Sequence, residues 1–477
     1  MLSDAVLLVV SALGLGALVV GADRLRARGI PSAATRRLVH ATVCLFVAGT
    51  PWIFSGPGPV CGLAVAFVGA NGWSRARGWW PGIHAARPAS WGTVAVPLAV
   101  LPAAAATWGV SPARIPLFQG AFLVLGLADP IAAWAGTRWG RRRLTAAATG
   151  AGTVAFLATA VLLLTGRLLA AGWGPGRAVA TAVLASVAAA TAEAVARGGW
   201  DNLFVVCAVL LTLVPVQEGG STGVLAGSLL GGAAVAGLAG AAGALTRRAA
   251  GTAGLFAASL LGLGGLPWAV PGLAFFGLAS ALSYLPGGAA APRRTVRQVM
   301  ANGGVAWALL GSAALGPPGS PIRALCFAGF LGALAAAAAD TWATELGIRY
   351  AGRPWSLRTG RRVPAGTSGA VSLVGTGGAA LGAASVALAA GLVPAAGLTL
   401  RAGLGVVGAG LVGMAVDSGA GATVQAHYRA AEGRLVEAPP APGAGPVWGW
   451  RGVDNDIVNL LGTAAGALAV MLLLGGP

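Results

Sequence analysis

The chain has 477 residues, 56% of them hydrophobic and only 9% charged, against about 25% charged in an ordinary soluble chain. No soluble domain buries that much apolar surface, so lipid is the solvent for most of the chain and an all-α, polytopic membrane bundle is expected. All 31 basic residues are arginine, for a net charge of +18; amine nucleophiles and Schiff bases are excluded, anions must be held by guanidinium groups, and arginines dispersed through short loops give no nucleic-acid surface.

A bilayer crossing takes about 20 mostly apolar residues. Such stretches run over 4–22, 38–54, 58–73, 92–108, 115–135, 145–166, 177–196 and 203–217. They continue over 221–245, 251–267, 270–285, 300–316, 321–345, 367–390, 401–424 and 455–475, which predicts roughly 14–16 spans. The first is followed by Asp23 and Arg24 with no small-residue cleavage site, so it reads as a span rather than a signal peptide. The 78 glycines suit close helix contacts. The four cysteines (Cys44, Cys61, Cys207, Cys326) lie in apolar stretches without metal-ligand spacing and read as small buried hydrophobes. With only His40, His84 and His427 present, a zinc site or a histidine triad is not expected.

Arginine clusters recur after every second span: Arg24 to Arg37, Arg75 to Arg87, Arg138 to Arg143, Arg197, Arg247 and Arg248, Arg293 to Arg297, Arg349 to Arg362, and Arg429 with Arg434. That face is cytoplasmic by the positive-inside rule, with both termini opposite. The other loops hold single arginines, among them Arg114 and Arg451. Asp454 and Asp456, opening the last span, are placed on that far side as well.

Acidic residues number 13. Asp129, Glu193, Asp201, Asp340, Glu345 and Asp417 fall at the cytoplasmic ends of apolar spans. An ionisable group there is a functional candidate, weighed against a helix-end acid that snorkels or pairs with an arginine. Residues 339–347 interrupt an alanine run with Asp340, Thr341, Thr344 and Glu345. Asp340 and Thr344 are four apart, as are Thr341 and Glu345, so two neighbouring stripes of one helix become oxygen-rich, suited to a hard cation such as Mg²⁺. Downstream, Arg361 and Arg362 precede Gly366-Thr367-Ser368-Gly369. Thr367 or Ser368 is expected to cap the next helix, leaving N–H groups and arginines to receive phosphate.

From about residue 220 onward the chain resembles the transmembrane protein 19-like family, which includes phytyl-phosphate kinases. The resemblance is carried by Arg294 to Gly304, including Gln298 and Asn302; by Asp340 to Gly347; by Val363 to Ser372; by Asp417-Ser418 with Gly421 to Gln425; and by Asn455, Asp456 and Asn459. Residues from about 35 to 215 resemble the CTP-using phytol and dolichol kinase family. There the matching positions are Arg36, Arg37 and His40; Arg87 with Ser90 to Thr93; Asp129 to Gly140; and Glu193 with Asp201 and Asn202. One departure stands out: that family carries a lysine after its acidic helix, where this chain has Ala148 before Thr149 and Gly152. Both halves run from an arginine-led motif through an acidic helix and a Gly/Thr-rich helix start to an Asp/Asn pair, which suggests duplication.

The resemblance implies two domains, 1–217 and 218–477, that phosphorylate an isoprenoid alcohol (phytol, geranylgeraniol or farnesol) to its monophosphate and then its diphosphate. It implies Mg²⁺ and CTP or another nucleoside triphosphate, in a cell membrane with the sites facing the cytoplasm. Asp129, Asp340, Glu345 and Asp417 would bind Mg²⁺ or orient the acceptor. Arg36, Arg37, Arg87, Arg294, Gln298, Asn302, Arg361 and Arg362 would hold phosphates, and Gly366 to Gly369 the nucleotide. The alternatives are a transporter or a cytidylyltransferase-like enzyme forming a CDP-lipid.

Overall fold

The computed structural model describes residues 3–84, 89–143, 148–283, 293–317, 320–429, 435–441 and 443–474. Arg87 lies outside them. Helices follow the sixteen apolar stretches one for one, with the joined helix Pro112–Trp139 counted once and the one-turn helix Pro81–His84 set aside. Among the described residues, ten of these are long and apolar enough by length and composition to cross a membrane, and Gly92–Ala106 and Asp201–Gln217 are shorter apolar helices. The other four (Ser32–Gly49, Pro57–Arg77, Arg247–Ser259 and Val296–Leu315) carry arginines in their terminal turns, and their apolar portions are correspondingly short. Leu13, Leu162, Leu238 and Leu388 are 69–73% exposed, which water would penalise and acyl chains would not. The chain is an integral, multi-pass membrane protein.

It divides into two compact units, Met1–Leu229 with Leu315–Pro318, and Leu230–Ala314 with Gly319–Pro477. The first unit contains α1 (Asp4–Ala27), α2 (Ser32–Gly49), α3 (Pro57–Arg77), α4 (Gly92–Ala106), α5 (Pro112–Trp139), α6 (Gly150–Ala170), α7 (Pro175–Val195) and α8 (Asp201–Gln217). Its core forms around α5, where Phe118, Phe122 and Leu125 pack with Phe156 and Leu164 of α6 and with Val209 and Leu213 of α8. A π-turn over Val124–Ala128 interrupts α5 just before Asp129. At the opposite end of the same helix Arg114, 1% exposed, pairs with Glu218 at 3.0 Å and donates to Ala106 O at 2.7 Å.

The next helix, α9 (Thr222–Ala241), contains the division between the units, which sequence reasoning had set at 217/218. The second unit continues with α10 (Arg247–Ser259, extended by a π-turn over Leu260–Gly264), α11 (Leu266–Ser283), α12 (Val296–Leu315), α13 (Ile322–Tyr350), α14 (Leu373–Gly391), α15 (Leu400–Thr423) and α16 (Asn455–Leu474). Its axis is α13, whose run from Ala333 to Ala339 is buried on every face. Such enclosure needs small residues on the neighbours as well: at Gly413 of α15 an added Cβ would lie 2.3 Å from Ala336 Cβ. Two short antiparallel hairpins complete this unit, β1 (Trp355–Ser356) with β2 (Ala370–Val371) and β3 (Tyr428–Arg429) with β4 (Leu435–Val436).

Candidate active site

At 1.5 Å per residue, Asp340 lies about 27 Å along α13 from Ile322, and Asp417 about 26 Å along α15 from Leu400, whereas Asn459 is one turn into α16. All three therefore sit at one end of the second unit, since the hydrocarbon layer is about 30 Å thick. They line one cavity of about 380 Å³ with Arg294, Gln298, Asn302, Thr341, Thr344, Glu345, Gly366 to Gly369, Ser418, Glu437 and Asn455.

The centre of this cavity is a carboxyl pair. The Asp340 and Asp417 side chains interact directly with each other. With its amide nitrogen turned towards acceptors, Asn459 donates to Asp417 Oδ2 at 3.0 Å and to Asn455 O at 3.1 Å. The groups around the pair are mainly carboxyl, hydroxyl and amide oxygens, with the Met414 thioether beside Ser418 and no imidazole among the described lining residues, a set dominated by oxygen that fits a hard cation. Among the described residues no group of three or more His, Cys, Asp or Glu side chains is placed to hold a metal. Two carboxylates with phosphate and water oxygens completing the shell is a common arrangement for Mg²⁺.

Glu345 does not join that pair as expected. One of its oxygens pairs with Arg349 four residues on, and the other accepts from Ser283 Oγ at 3.0 Å. Arg294 donates to the same Ser283 oxygen at 3.0 Å and to Ala279 O at 3.4 Å. Glu345 thus braces the arginine side of the cavity, and Asp417 is the acid that stands beside Asp340.

The Gly-Thr-Ser-Gly turn forms a wall but not a helix start. Helix α14 begins at Leu373, capped by Ser372, whose Oγ accepts from Gly375 N at 3.0 Å; Thr367 and Ser368 cap nothing. Ser368 instead donates to Gln425 Oε1 at 2.7 Å, and Thr367 to Pro364 O at 2.7 Å. Gly369 has φ +69°, and a Cβ there would lie 2.5 Å from Ala422 N, so only glycine lets the turn press on the end of α15. Arg361 and Arg362 do not line the cavity: both are exposed, and the Arg362 guanidinium lies over the Trp355 ring at 5.4 Å.

Asp454 and Asp456 also require correction. Arg297, in the first turn of α12, pairs with Asp454 at 2.6 Å and Asp456 at 3.3 Å. The last helix therefore starts at the acid-bearing end of the unit, not on the far side.

The first unit gathers its motifs in a similar way. Arg36 donates to Ser90 Oγ at 2.9 Å, and Arg75 to Ser90 O at 2.6 Å. Asn202 donates to Gly92 O at 3.1 Å, and Asn71 to Thr93 O at 2.7 Å. His40 Nε2 lies 3.0 Å from Leu125 O, in the π-turn, and 3.6 Å from Asp129 Oδ2. Glu193 is within electrostatic reach of Asp129 and Asp201. Arg36, His40, Asn71, Thr93 and Asn202 form the polar rim of an apolar cavity of about 100 Å³, walled by Val43, Phe46, Leu63, Phe67, Val96 and Val100 among others. Arg37 is absent from that lining and donates to Ala33 O at 3.1 Å. Thr149 caps α6, accepting from Gly152 N at 3.2 Å. Outside the spans, His84 shares a hydrogen bond with Ser74 Oγ at 3.0 Å. Burial, and then the Arg75 and Arg36 guanidinium groups, pull its imidazole below the usual histidine range despite Asp23.

Sequence reasoning missed Ser283, Arg349 and Glu437 in the second unit and Asn71 and Arg75 in the first. Arg349 was findable, being four residues after Glu345 on one helix, and Asn71 is a lone amide in an apolar stretch. No solved structure matches the chain. Residues 230–467, its C-terminal half, match the model of the family described as integral membrane protein DUF92.

Proposed function

We propose that the protein is a membrane phosphotransferase acting on isoprenoid alcohols and their monophosphates, one step in each unit. The observation that carries this reading is the cavity of the second unit. A carboxyl pair, an arginine and a glycine-hinged turn from sequence-distant helices converge at one end of a bundle, where a lipid headgroup and a soluble nucleotide can meet. Phosphoryl transfer asks a protein chiefly for positioning and charge neutralisation. Asp340 and Asp417 would hold Mg²⁺, which neutralises the triphosphate, and Arg294 would hold the acceptor phosphate. The Gly366 to Gly369 turn would line the nucleotide side. In the first unit Asp129 stands beside His40 of the rim, and Glu193 lies within electrostatic reach of Asp129 and Asp201. The arginines sharing the acid-bearing end (Arg294, Arg297, Arg349) support a cytoplasmic face for the second unit.

A transporter would place such acids near mid-membrane, whereas Asp340 and Asp417 lie about 26–27 Å along their helices from the opposite end, close to the far limit of a hydrocarbon layer about 30 Å thick. The deciding assay incubates membranes containing the full chain with γ-labelled CTP, Mg²⁺ and geranylgeraniol, phytol or farnesol. Labelled monophosphate and diphosphate are expected. Asp340→Ala is expected to stop at the monophosphate. A CDP-lipid with the γ label released as pyrophosphate, movement of unmodified prenol, or undiminished diphosphate from that variant would refute the reading.

A further inference from the structure

Resting on the kinase reading, we infer that the apolar chamber beside Arg294 receives the start of the acceptor's first isoprene unit, and no more of its tail. The chamber is walled by Phe256 and Leu260 of α10 with its π-turn, by Phe275 and Phe276 of α11, and by Val299 and Gly303 of α12. It shares Arg294, Gln298, Asn302 and Thr341 with the polar cavity, so the two spaces meet at those four side chains. One end is cationic and hydrogen-bonding and the other is wholly apolar, which matches the junction between a phosphate and a hydrocarbon.

Size limits the occupant. The chamber measures about 60 Å³, well below the roughly 150 Å³ that takes a benzene ring, so it admits only the few carbons of the first isoprene unit nearest the phosphate, and the rest of the tail must leave into lipid. The walls are held in place. Phe256 stacks on Trp307 with centroids 5.3 Å apart, and the Trp307 indole N–H donates to Ser259 Oγ at 3.1 Å. Opposite, a Cβ at Gly303 would lie 3.0 Å from Phe256 Cε1, so α12 has no slack there.

A tail already dissolved in lipid gains little hydrophobic free energy by entering such a chamber. What the chamber supplies is position: a misplacement of about 1 Å costs about 10²-fold in rate. Phe256 and Gly303 are therefore positioning residues, and changes there fall on kcat rather than KM.

The test uses the purified full chain in detergent micelles with CTP and Mg²⁺, and compares geranyl, farnesyl and geranylgeranyl phosphate as acceptors. A second measurement, without nucleotide, photo-crosslinks a prenyl phosphate carrying a diazirine on its first isoprene unit and maps the labelled peptides. Gly303→Val is expected to lower kcat about 10²-fold for all three acceptors alike and to lose the label from α10 to α12. Adding Phe256→Ala, which removes the ring that valine strikes, is expected to restore both. Restoration separates a filled chamber from a misfolded chain, and a double variant that recovers neither overturns the inference. So does an effect of Phe256→Ala that depends on tail length, label outside the segments that line the chamber in the unaltered protein, or equal displacement of the label by phosphatidic acid. Label at the chamber with no phosphate transfer to any acceptor would sink the kinase reading and leave the tail site standing; transfer with label elsewhere would do the reverse.

Discussion

Replacing Asp417 by asparagine removes one carboxylate from the pair at the centre of the second unit and keeps its shape and its hydrogen-bonding capacity towards Asp340. A unit charge acting on a cation about 4 Å away, at an effective dielectric of about 20, is worth about 4 kcal/mol, or about 10³-fold in rate. The fold loses little, because asparagine matches aspartate in size and keeps a hydrogen-bonding group beside Asp340 and Asn459. The measurement is diphosphate formation from geranylgeranyl phosphate by purified protein in micelles, at a series of Mg²⁺ concentrations, beside a thermal melt. Expected are a fall of about 10³-fold in kcat, a raised Mg²⁺ requirement, an unshifted melting midpoint and normal monophosphate synthesis from the alcohol. The reasoning fails if Asp417→Asn keeps more than about a tenth of its diphosphate activity, or if both activities fall together with the melting midpoint.

Gly369→Ala combines a left-handed backbone with a Cβ 2.5 Å from Ala422 N, so it is expected to cost at least about 1–2 kcal/mol locally and to raise the KM for nucleotide; Gly352→Ala, also at positive φ but with nothing within 4 Å, separates clash from backbone strain. His84 favours its neutral form in the fold, so the unfolded chain binds more protons below about pH 6.5. Stability is then complete above that pH and is lost as pH falls towards the lowered folded value. Melting midpoints between pH 5 and 7 are expected to decline in the unaltered protein and to decline less in His84→Gln; parallel curves would contradict the assignment.

The helices were legible because apolar runs of bilayer length leave few alternatives, and each of the sixteen stretches became a helix. Their starts were less so. Apolarity placed the second span at residue 38, yet α2 begins at Ser32 and carries Arg36 and His40 on its first turns, where they reach Ser90 and Asp129. The Gly-Thr-Ser-Gly turn looked like a helix start because its residue types suit one. Ser372 took the cap, since the hairpin of β1 and β2 holds the preceding residues extended. Pairings across the fold carried no local signal. Nothing near Asp454 in sequence points to Arg297, 157 residues away, and hydrophobic periodicity cannot register the π-turns at Val124–Ala128 and Leu260–Gly264. Candidate acids stand out by their rarity in apolar sequence; how they pair is a tertiary property, and it sets Asp417 beside Asp340 and Glu345 beside Arg349 and Ser283.

The two rims differ in a way that ties charge to substrate. In the first unit Arg36 donates to the loop residue Ser90 and stands with His40, Asn71 and Asn202 around the apolar cavity, an arrangement suited to a neutral hydroxyl. In the second unit Arg294 is braced through Ser283 by Glu345 and Arg349, and no histidine lines its cavity among the described residues. A phosphate monoester is already an anionic nucleophile at neutral pH and needs a cation to hold it more than a base to activate it. A hydrogen bond to a charged group is worth about 1.5–3 kcal/mol, so Arg294→Gln is expected to raise the KM for prenyl monophosphate by about 10- to 10²-fold while kcat changes little. Arg294→Lys keeps the charge without the planar fork and should fall between. Monophosphate formation from the alcohol should be untouched by either change. A loss confined to kcat, or an equal loss in both reactions, would mean that Arg294 serves the packing of α11 and α12 rather than the acceptor phosphate.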